Sequence, residues 1–450
     1  MTESTEVDVV VVGLGPGGEA LASRLAQAGL EVVGVDRRLV GGECPYFGCI
    51  PSKMMIRAAD VLAEARRVPG FAGTVQVAPD WSVVADRIRD EATDDWDDRV
   101  AVERLEQAGV GFVRGHGRLV GPGQVEVDGT TYTARRGVVL NTGTEPGVPP
   151  IDGLADTPYW TNRDIVQVRE LPASLIVIGG GAIGAELAQA MSRFGVRVTL
   201  LEVADRILAP EEPEASALVA ATFASEGIQV LTGVTISSVS YAEGTFSVAL
   251  GEQTISADKL LVAAGRRPNL SDVGLETVGL DPKARAIETD ERMRAGDRLW
   301  AIGDIVGKGA FTHVSMYQSA VAARDLLDED GPWADYRAVS RVTFTDPEVG
   351  SVGLTEKQAR DAGLSVTTGS TELSASTRGW IARADGLVKL VVDADRGIVV
   401  GATAVGPSGG EILSMLATAV HAEVPVATLK TMHFAYPTFH RAVESALADL

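Results

Sequence analysis

The 450-residue sequence predicts an α/β protein organised around two copies of one strand–turn–helix–strand unit. Three observations carry this expectation. The length is that of about three domains. The chain holds fifty glycines, many of them where an apolar run gives way to a helical pattern. Residues 9–36, VVVVGLGPGGEALASRLAQAGLEVVGVD, return in pattern at 175–202, LIVIGGGAIGAELAQAMSRFGVRVTLLE, in one constant register.

Each element of the unit has a physical reason. The unit opens on an apolar strand. Gly13 and Gly179 come next and permit the tight turn. Gly15 and Gly181 let the backbone approach a pyrophosphate, and Gly18 and Gly184 let helix and strand pack closely. The pyrophosphate then sits at the helix N-terminus, where free N–H groups and the helix dipole favour an anion. A second apolar strand ends on Asp36 in one copy and Glu202 in the other, acids placed to accept hydrogen bonds from a ribose diol. A lone Gly-x-Gly-x-x-Gly marks a tight turn in any α/β fold. Here strand, helix and acid all recur, so two Rossmann-like domains and two dinucleotides are implied. Glu202 repels a 2′-phosphate and no basic pair follows it closely, which favours NAD over NADP; Arg206 is the nearby side chain able to offset that repulsion.

Composition narrows the partners. A formal net charge of −21 and a pI near 4.7 repel phosphate backbones, so nucleic acid and anionic membrane are poor partners. The opening residues MTESTEVD are polar and acidic, with no basic or apolar signal segment. No apolar run approaches membrane-spanning length. A cytoplasmic protein is expected.

The only cysteines, Cys44 and Cys49, lie in GGECPYFGCIPSKM just after the first unit. Two cysteines exclude a disulfide scaffold. In a reducing compartment such a pair reads as redox or metal chemistry. Residues five apart in a regular helix face different ways, so the pair is expected on a turn running into a helix. Gly48 suits the turn and Pro51 the first helical position. A helix N-terminus also stabilises a thiolate. The metal reading lacks further ligands: there are five histidines, no third cysteine, and a spacing unusual for zinc. Two buried free thiols are the ordinary alternative. The neighbouring dinucleotide fingerprint favours redox chemistry, and no metal site is expected.

On these residues the chain resembles the class I pyridine nucleotide–disulfide oxidoreductases, the FAD enzymes that include dihydrolipoamide dehydrogenase, glutathione reductase and mercuric reductase. GGECPYFGCIPSK is similar to their active-site signature. NTGTEPGVPPI (141–151), with Gly143, resembles the return from their FAD domain, and LLVAAGRRPN (260–269), with Gly265, its counterpart closing the NAD domain. LWAIGDI (299–305) resembles the second FAD motif, and FTDPEVGSVGLTEKQAR (344–360) the start of the dimerisation domain.

The resemblance implies that NAD(P)H docks on one face of the flavin and the disulfide lies on the other. It makes Cys49 the flavin-proximal thiol, which forms a charge-transfer thiolate, and Cys44 the interchange thiol that attacks an external disulfide. Lys53 is implied near the flavin, paired with Glu186 of GAELA. The implied FAD contacts are Gly13, Gly15, Gly18, Asp36, Lys53, Gly117, Gly143, Asp304 and Thr312, with Asp304 on the ribityl chain. Those for NAD are Gly179, Gly181, Gly184, Glu202 and Gly265.

The C-terminus, MHFAYPTFHRAVESALADL (432–450), departs from the family. Disulfide-reducing members carry a His–Glu base dyad there; Tyr436 stands at the His position and Arg441 at the Glu position. A tyrosine, with an unperturbed pKa near 10, is a poor base at neutral pH. Mercuric reductases and soluble transhydrogenases also tend to have Tyr here, but the former add a C-terminal cysteine pair and the latter lack the full redox pair. His440 and Glu444 are four apart on the expected final helix, a relocated dyad on one reading and a plain ion pair on the other. His433 is a further candidate.

Three domains follow from the resemblance: a discontinuous FAD domain (1–150 and 270–335), an NAD(P) domain (151–269) and an α+β dimerisation domain (336–450). Residues 55–107 read as helices without chemistry. A homodimer is implied, the C-terminal segment of one subunit completing the other's site. The leading function is electron transfer from NADH through FAD and Cys44–Cys49 to a small disulfide. The alternatives are an NAD(P)H reductase of quinones, metal ions or nucleotides, and a non-catalytic flavoprotein scaffold.

Overall fold

The structure, a computed structural model, describes residues 3–450, which divide into two compact units. The first comprises the chain up to Pro51, Asp86–Gly147 and Arg266–Asp335; the second comprises Ser52–Ala85, Val148–Gly265 and Tyr336–Leu450.

The first unit is built on a sheet in which strand Glu3–Val12 is central. It pairs in parallel with Val32–Asp36 on one side and Thr130–Leu140 on the other. Gly111–Arg114 continues the sheet in parallel beyond Val32–Asp36, and Leu299–Ala301 does so beyond Thr130–Leu140. Val9 to Val12 form an unbroken apolar run with no exposed member, as a strand covered on both faces requires. Val10, Val35, Leu140, Leu299 and Ile305 meet in one core. The register Val12↔Val35 brings the two strand ends level, so the Gly13 turn and Asp36 emerge at the same edge. Helix Pro16–Gln27 starts directly behind that turn, with Pro16 at its first position.

The second unit repeats the device. Strands Gln229–Leu231, Arg197–Leu201, Ser174–Ile178 and Lys259–Val262 form a parallel sheet in that order. Helix Ala182–Arg193 follows the glycine turn. Ile176, Leu201, Phe246 and Leu260 fill the core between this sheet and an antiparallel three-stranded sheet. The C-terminal part of the unit is α+β. Its five-stranded antiparallel sheet runs in the order Ser340–Thr343, Glu348–Gly353, Ile398–Gly406, Leu387–Asp393, Val366–Glu372. Leu416 of helix Gly409–His421 and Val443 of helix Ala442–Ala448 share a core with its Leu390 and Ala404. The α/β class expected from the repeat is the class observed. Among the described residues no helix is long and apolar enough to cross a membrane.

Candidate redox site

The two fingerprint turns are shaped by sterics. Gly13 has φ +95°, and a Cβ there would lie 2.3 Å from the Asn141 carbonyl oxygen; Gly179 has φ +109°, with the Ala263 oxygen at 2.4 Å. The third glycines are closed by their own turns: a Cβ on Gly18 would lie 2.1 Å from the Gly13 oxygen, and one on Gly184 1.9 Å from the Gly179 oxygen. The middle glycines differ. Gly181 faces open space, and Gly15 has only the Asn141 amide, at 3.5 Å. Neither helix N-terminus carries a side-chain cap. An open cradle of uncapped N–H groups at a helix start fits a pyrophosphate, so the residues present suit FAD in the first unit and a pyridine nucleotide in the second.

The acids close both cradles in the same way. Asp36 accepts the Leu14 N–H at 2.7 Å through one oxygen and the Arg38 N–H at 2.8 Å through the other. Burial raises its pKa against those two hydrogen bonds. Glu202 accepts from Gly180 N–H at 2.6 Å and Ala204 N–H at 2.8 Å. Arg206 turns to its own loop and donates to the Ala209 carbonyl at 2.7 Å.

The cysteine stretch lies against the first turn. Gly41 N–H donates to the Leu14 carbonyl at 2.7 Å, and a Cβ on Gly42 would stand 3.0 Å from the Gly15 Cα. A short helix, Glu43–Phe47, contains Cys44; Gly48 breaks it, and Cys49 opens the 19-residue helix Cys49–Arg67. The expected turn is therefore a single glycine between two helices, and Pro51 is the third rather than the first helical residue. The break at Gly48 resets the chain direction, so residues five apart bring their thiols within hydrogen-bonding reach. Cys44 is half-buried and Cys49 exposed. Its hydrogen bond to Cys49, reinforced by burial, pushes the Cys44 thiol up, with Thr312 acting the other way. Stabilisation by a helix start belongs to Cys49, the first residue of the long helix. The Cys49 sulfur lies 3.4 Å from Thr312 Oγ1, at the first residue of helix Thr312–Leu326.

Around the same unit, Thr144 Oγ1 donates to Asp304 Oδ2 at 2.6 Å and itself accepts from Arg266 Nε at 2.6 Å. Gly143 (φ +63°) leaves open space where a side chain would stand. A Cβ on Gly117 would lie 3.0 Å from Val12 and 3.3 Å from Val35, so that loop packs across the two strand ends. Sequence reasoning passed over Asn141, whose side-chain amide donates to the Gly13 carbonyl at 3.2 Å. Its place within the quoted NTG stretch was the available signal.

In the second unit, Lys53 Nζ meets Glu186 Oε2 at 2.7 Å. Glu186 is 5% exposed and accepts the Phe344 N–H at 2.8 Å through its other oxygen. The Lys53 ammonium also stands 4.7 Å from the centre of the Phe344 ring. Phe344 had no signal of its own beyond its place in FTDPEVG. Gly265 (φ +103°) has open space around it at the end of strand Lys259–Val262.

Tyr436 is 63% exposed; its hydroxyl donates to Thr377 Oγ1 at 3.3 Å, and the Arg441 guanidinium lies over its ring at 4.9 Å. The expected His440–Glu444 pairing on a common helix is corrected: the last helix begins at Ala442, His440 precedes it, and Glu444 pairs with Arg441 at 2.8 Å. His433 is exposed in the preceding connection. Among the described residues no cluster of three or more His, Cys, Asp or Glu is placed to hold a metal ion.

Two glycine-fingerprint units, one with a dithiol loop against its turn, define the class of two-nucleotide dithiol oxidoreductases. Comparison with known proteins places the chain within that class. Residues 7–324 match the family described as pyridine nucleotide-disulphide oxidoreductase, and residues 339–447 match its dimerisation domain. The dihydrolipoyl dehydrogenase of Thermus scotoductus is 33% identical, over 98% of this chain and 97% of its own. The mercuric reductase of Staphylococcus aureus is 30% identical, over 98% of this chain and 82% of its own. Among solved structures, the HOCl-induced flavoprotein disulfide reductase RclA from Escherichia coli superposes with a TM-score of 0.86 at 25% identity, covering 98% of this chain and 99% of its own. LpdA from Mycobacterium tuberculosis gives a TM-score of 0.86 at 26% identity, covering 98% and 99%. The chain belongs to the class I pyridine nucleotide–disulfide oxidoreductase family. It is an FAD-dependent enzyme, which sets aside the scaffold reading, and its dimerisation domain supports a homodimer.

Proposed function

We propose that the enzyme moves two electrons from NADH to the Cys44–Cys49 disulfide and then to a small acceptor. In balance, NADH, a proton and the disulfide give NAD⁺ and two thiols; the thiols then return two electrons and two protons to the acceptor and re-form the disulfide. FAD, when bound, supplies the two-electron relay between nucleotide and sulfur. Gly13, Gly15 and Gly18 would hold its pyrophosphate, Asp36 its ribose, Gly117 its adenine end, and Gly143, Asp304 and Thr312 the remainder. Gly179, Gly181, Gly184, Glu202 and Gly265 would hold the nicotinamide nucleotide. The residue roles presume a domain arrangement of 1–150 with 270–335 for FAD, 151–269 for NAD and 336–450 for subunit contact.

The observation that carries this reading is the thiol pair itself. Cys44 and Cys49 are the chain's only cysteines, each shares a hydrogen bond with the other, and their loop is tied to the first glycine turn. Cys49, at a helix start beside Thr312, is the thiol placed to carry negative charge. Cys44, the other member of the pair, is the thiol that exchanges with the acceptor. NADH is favoured over NADPH because both Glu202 oxygens are fixed by backbone N–H groups while Arg206 is spent on a carbonyl.

Tyr436 favours a second reading of the acceptor. With a tyrosine hydroxyl bonded to Thr377 in place of a histidine base, an acceptor that takes electrons without proton abstraction by a neutral base, such as a quinone or a metal ion, suits the site. Anaerobic titration with NADH should raise a long-wavelength charge-transfer band, and Cys49→Ser should abolish it; a band that survives the substitution overturns the dithiol assignment. Reoxidation of the two-electron-reduced enzyme by a panel of disulfides, quinones and metal ions then identifies the acceptor class.

A further inference from the structure

We propose that Phe344 is a positioning residue for the Lys53–Glu186 pair and holds both partners at once. This rests on the proposed FAD relay and on the family resemblance, which implies that Lys53 lies near the flavin.

A nearly buried carboxylate needs its oxygens satisfied, and Glu186 has two partners: Lys53 on one oxygen at 2.7 Å and the Phe344 N–H on the other at 2.8 Å. The backbone of Phe344 therefore sets the direction in which Glu186 offers its free edge. Its ring sets the position of the other partner. The Lys53 side chain is 36% exposed, so water competes for its ammonium, and one salt-bridge oxygen does not fix three rotatable donors. The Phe344 ring face at 4.7 Å restrains the cation without accepting one of its hydrogen bonds. The remaining donors stay available for a reacting group.

Phe344 is itself held from the same helix. Gln189 accepts the Asp346 N–H and donates to the Asp346 carbonyl, both at 2.8 Å, and Arg193 reaches the Asp346 carboxylate at 2.8 Å. Residues 186, 189 and 193 share one face of helix Ala182–Arg193. The strap of residues 344–346 is thus fastened at three successive points, and Phe344 is the point at which it meets Lys53. Phe344 is only half-buried, so core filling does not account for it.

The test uses the FAD-loaded enzyme with Phe344→Leu and Phe344→Met, which remove the ring, Phe344→Tyr, which keeps it, Lys53→Met, and the double variant Phe344→Leu/Lys53→Met. The readouts, scaled to bound FAD, are charge-transfer absorbance after two-electron reduction and the single-turnover rate of reduction by NADH. Loss of the ring should lower both by about threefold, Phe344→Tyr should restore them, and Phe344→Leu should add nothing in the Lys53→Met background. Wild-type values in Phe344→Leu or Phe344→Met, or an equal loss in the Lys53→Met background, overturn the proposal while leaving the role of Lys53 standing. Wild-type values in Lys53→Met overturn that role and the proposal with it.

Discussion

Arg193 and Asp60 show how much a single side chain decides here. Arg193, 3% exposed, reaches Asp60 at 2.6 Å, Glu226 at 2.6 Å and Asp346 at 2.8 Å. Burial works against its charge, but Glu226 and Asp346 outweigh burial and its pKa is raised. Such a cluster is weak evidence of net stability, yet removing Arg193 takes the salt-bridge cation from Asp60 and Glu226 and leaves Asp346 with Arg67 alone. Arg193→Ala should cost ~3–5 kcal/mol in urea unfolding; a cost under about 1 kcal/mol would show that water already screens the cluster. Asp60 is the strained member. Burial pushes its carboxyl to about 6 from an ordinary 3.8, with Arg193 pulling down and Asp346 pushing up. The folded carboxyl binds its proton more tightly than the unfolded one, so its favourable contribution is complete below pH ~4 and is lost as pH rises through about 6. Discounted for partial exposure, that loss is ~1–2 kcal/mol. Asp60→Asn should remove this part of the slope between pH 4 and 6, read as the difference between two stability–pH curves; parallel curves would contradict the assignment.

At the scale of the element, the three fingerprint glycines are not equivalent, and substitutions can separate them. Gly184→Ala would place a Cβ 1.9 Å from a carbonyl oxygen of its own turn, so strand and helix must part; loss of the folded second unit is expected. Gly181 has φ −72° at the helix N-cap and nothing within 4 Å of a Cβ. Gly181→Ala should therefore fold with a stability loss of about 1 kcal/mol or less, while KM for NADH rises at least tenfold as the methyl fills the pyrophosphate's place. An unchanged KM would remove the nucleotide from that cradle. This is also the part of the molecule most legible in the sequence. The third glycines are closed by carbonyls five residues back and the first glycines need a positive φ in the turn itself, so a local pattern reports them, although the Asn141 and Ala263 carbonyls that crowd Gly13 and Gly179 come from distant strand ends. The strap is the contrary case. Phe344 meets Glu186 across 158 positions and Asn141 meets Gly13 across 128, and no local pattern carries either contact. The final helix was misread for a related reason: the spacing of His440 and Glu444 fits one helix, but the chain turns until Ala442 and Arg441 takes the acid.

For the whole molecule, the question is which chain completes which site. The chain carries a dimerisation domain over residues 339–447, and that stretch contains the exposed Tyr436. If the C-terminal segment of one subunit completes the other's site, as the family resemblance implies, the Tyr436 of one subunit serves the cysteines of the other. A defect at Cys49 and a defect at Tyr436 then belong to different chains of one functional site. Co-expression of Cys49→Ser subunits with Tyr436→Ala subunits makes this measurable. Random pairing gives about half hybrids, each with one site bearing both substitutions and one bearing neither, so turnover should recover to about a quarter of wild type. If each chain builds its own site, every site in every dimer carries one defect, and turnover stays at the mean of the two parent variants. The comparison requires that both parents fall well below a quarter of wild-type turnover and that hybrids be counted by differential tags. The two outcomes differ in sign as well as size: mixing either exceeds both parents or lies between them. The net charge of −21 on each chain gives a second handle, since like-charged copies associate more tightly as salt screens them. Recovered turnover that rises with ionic strength at low subunit concentration, in step with the dimer fraction by sedimentation, would tie function to the paired molecule.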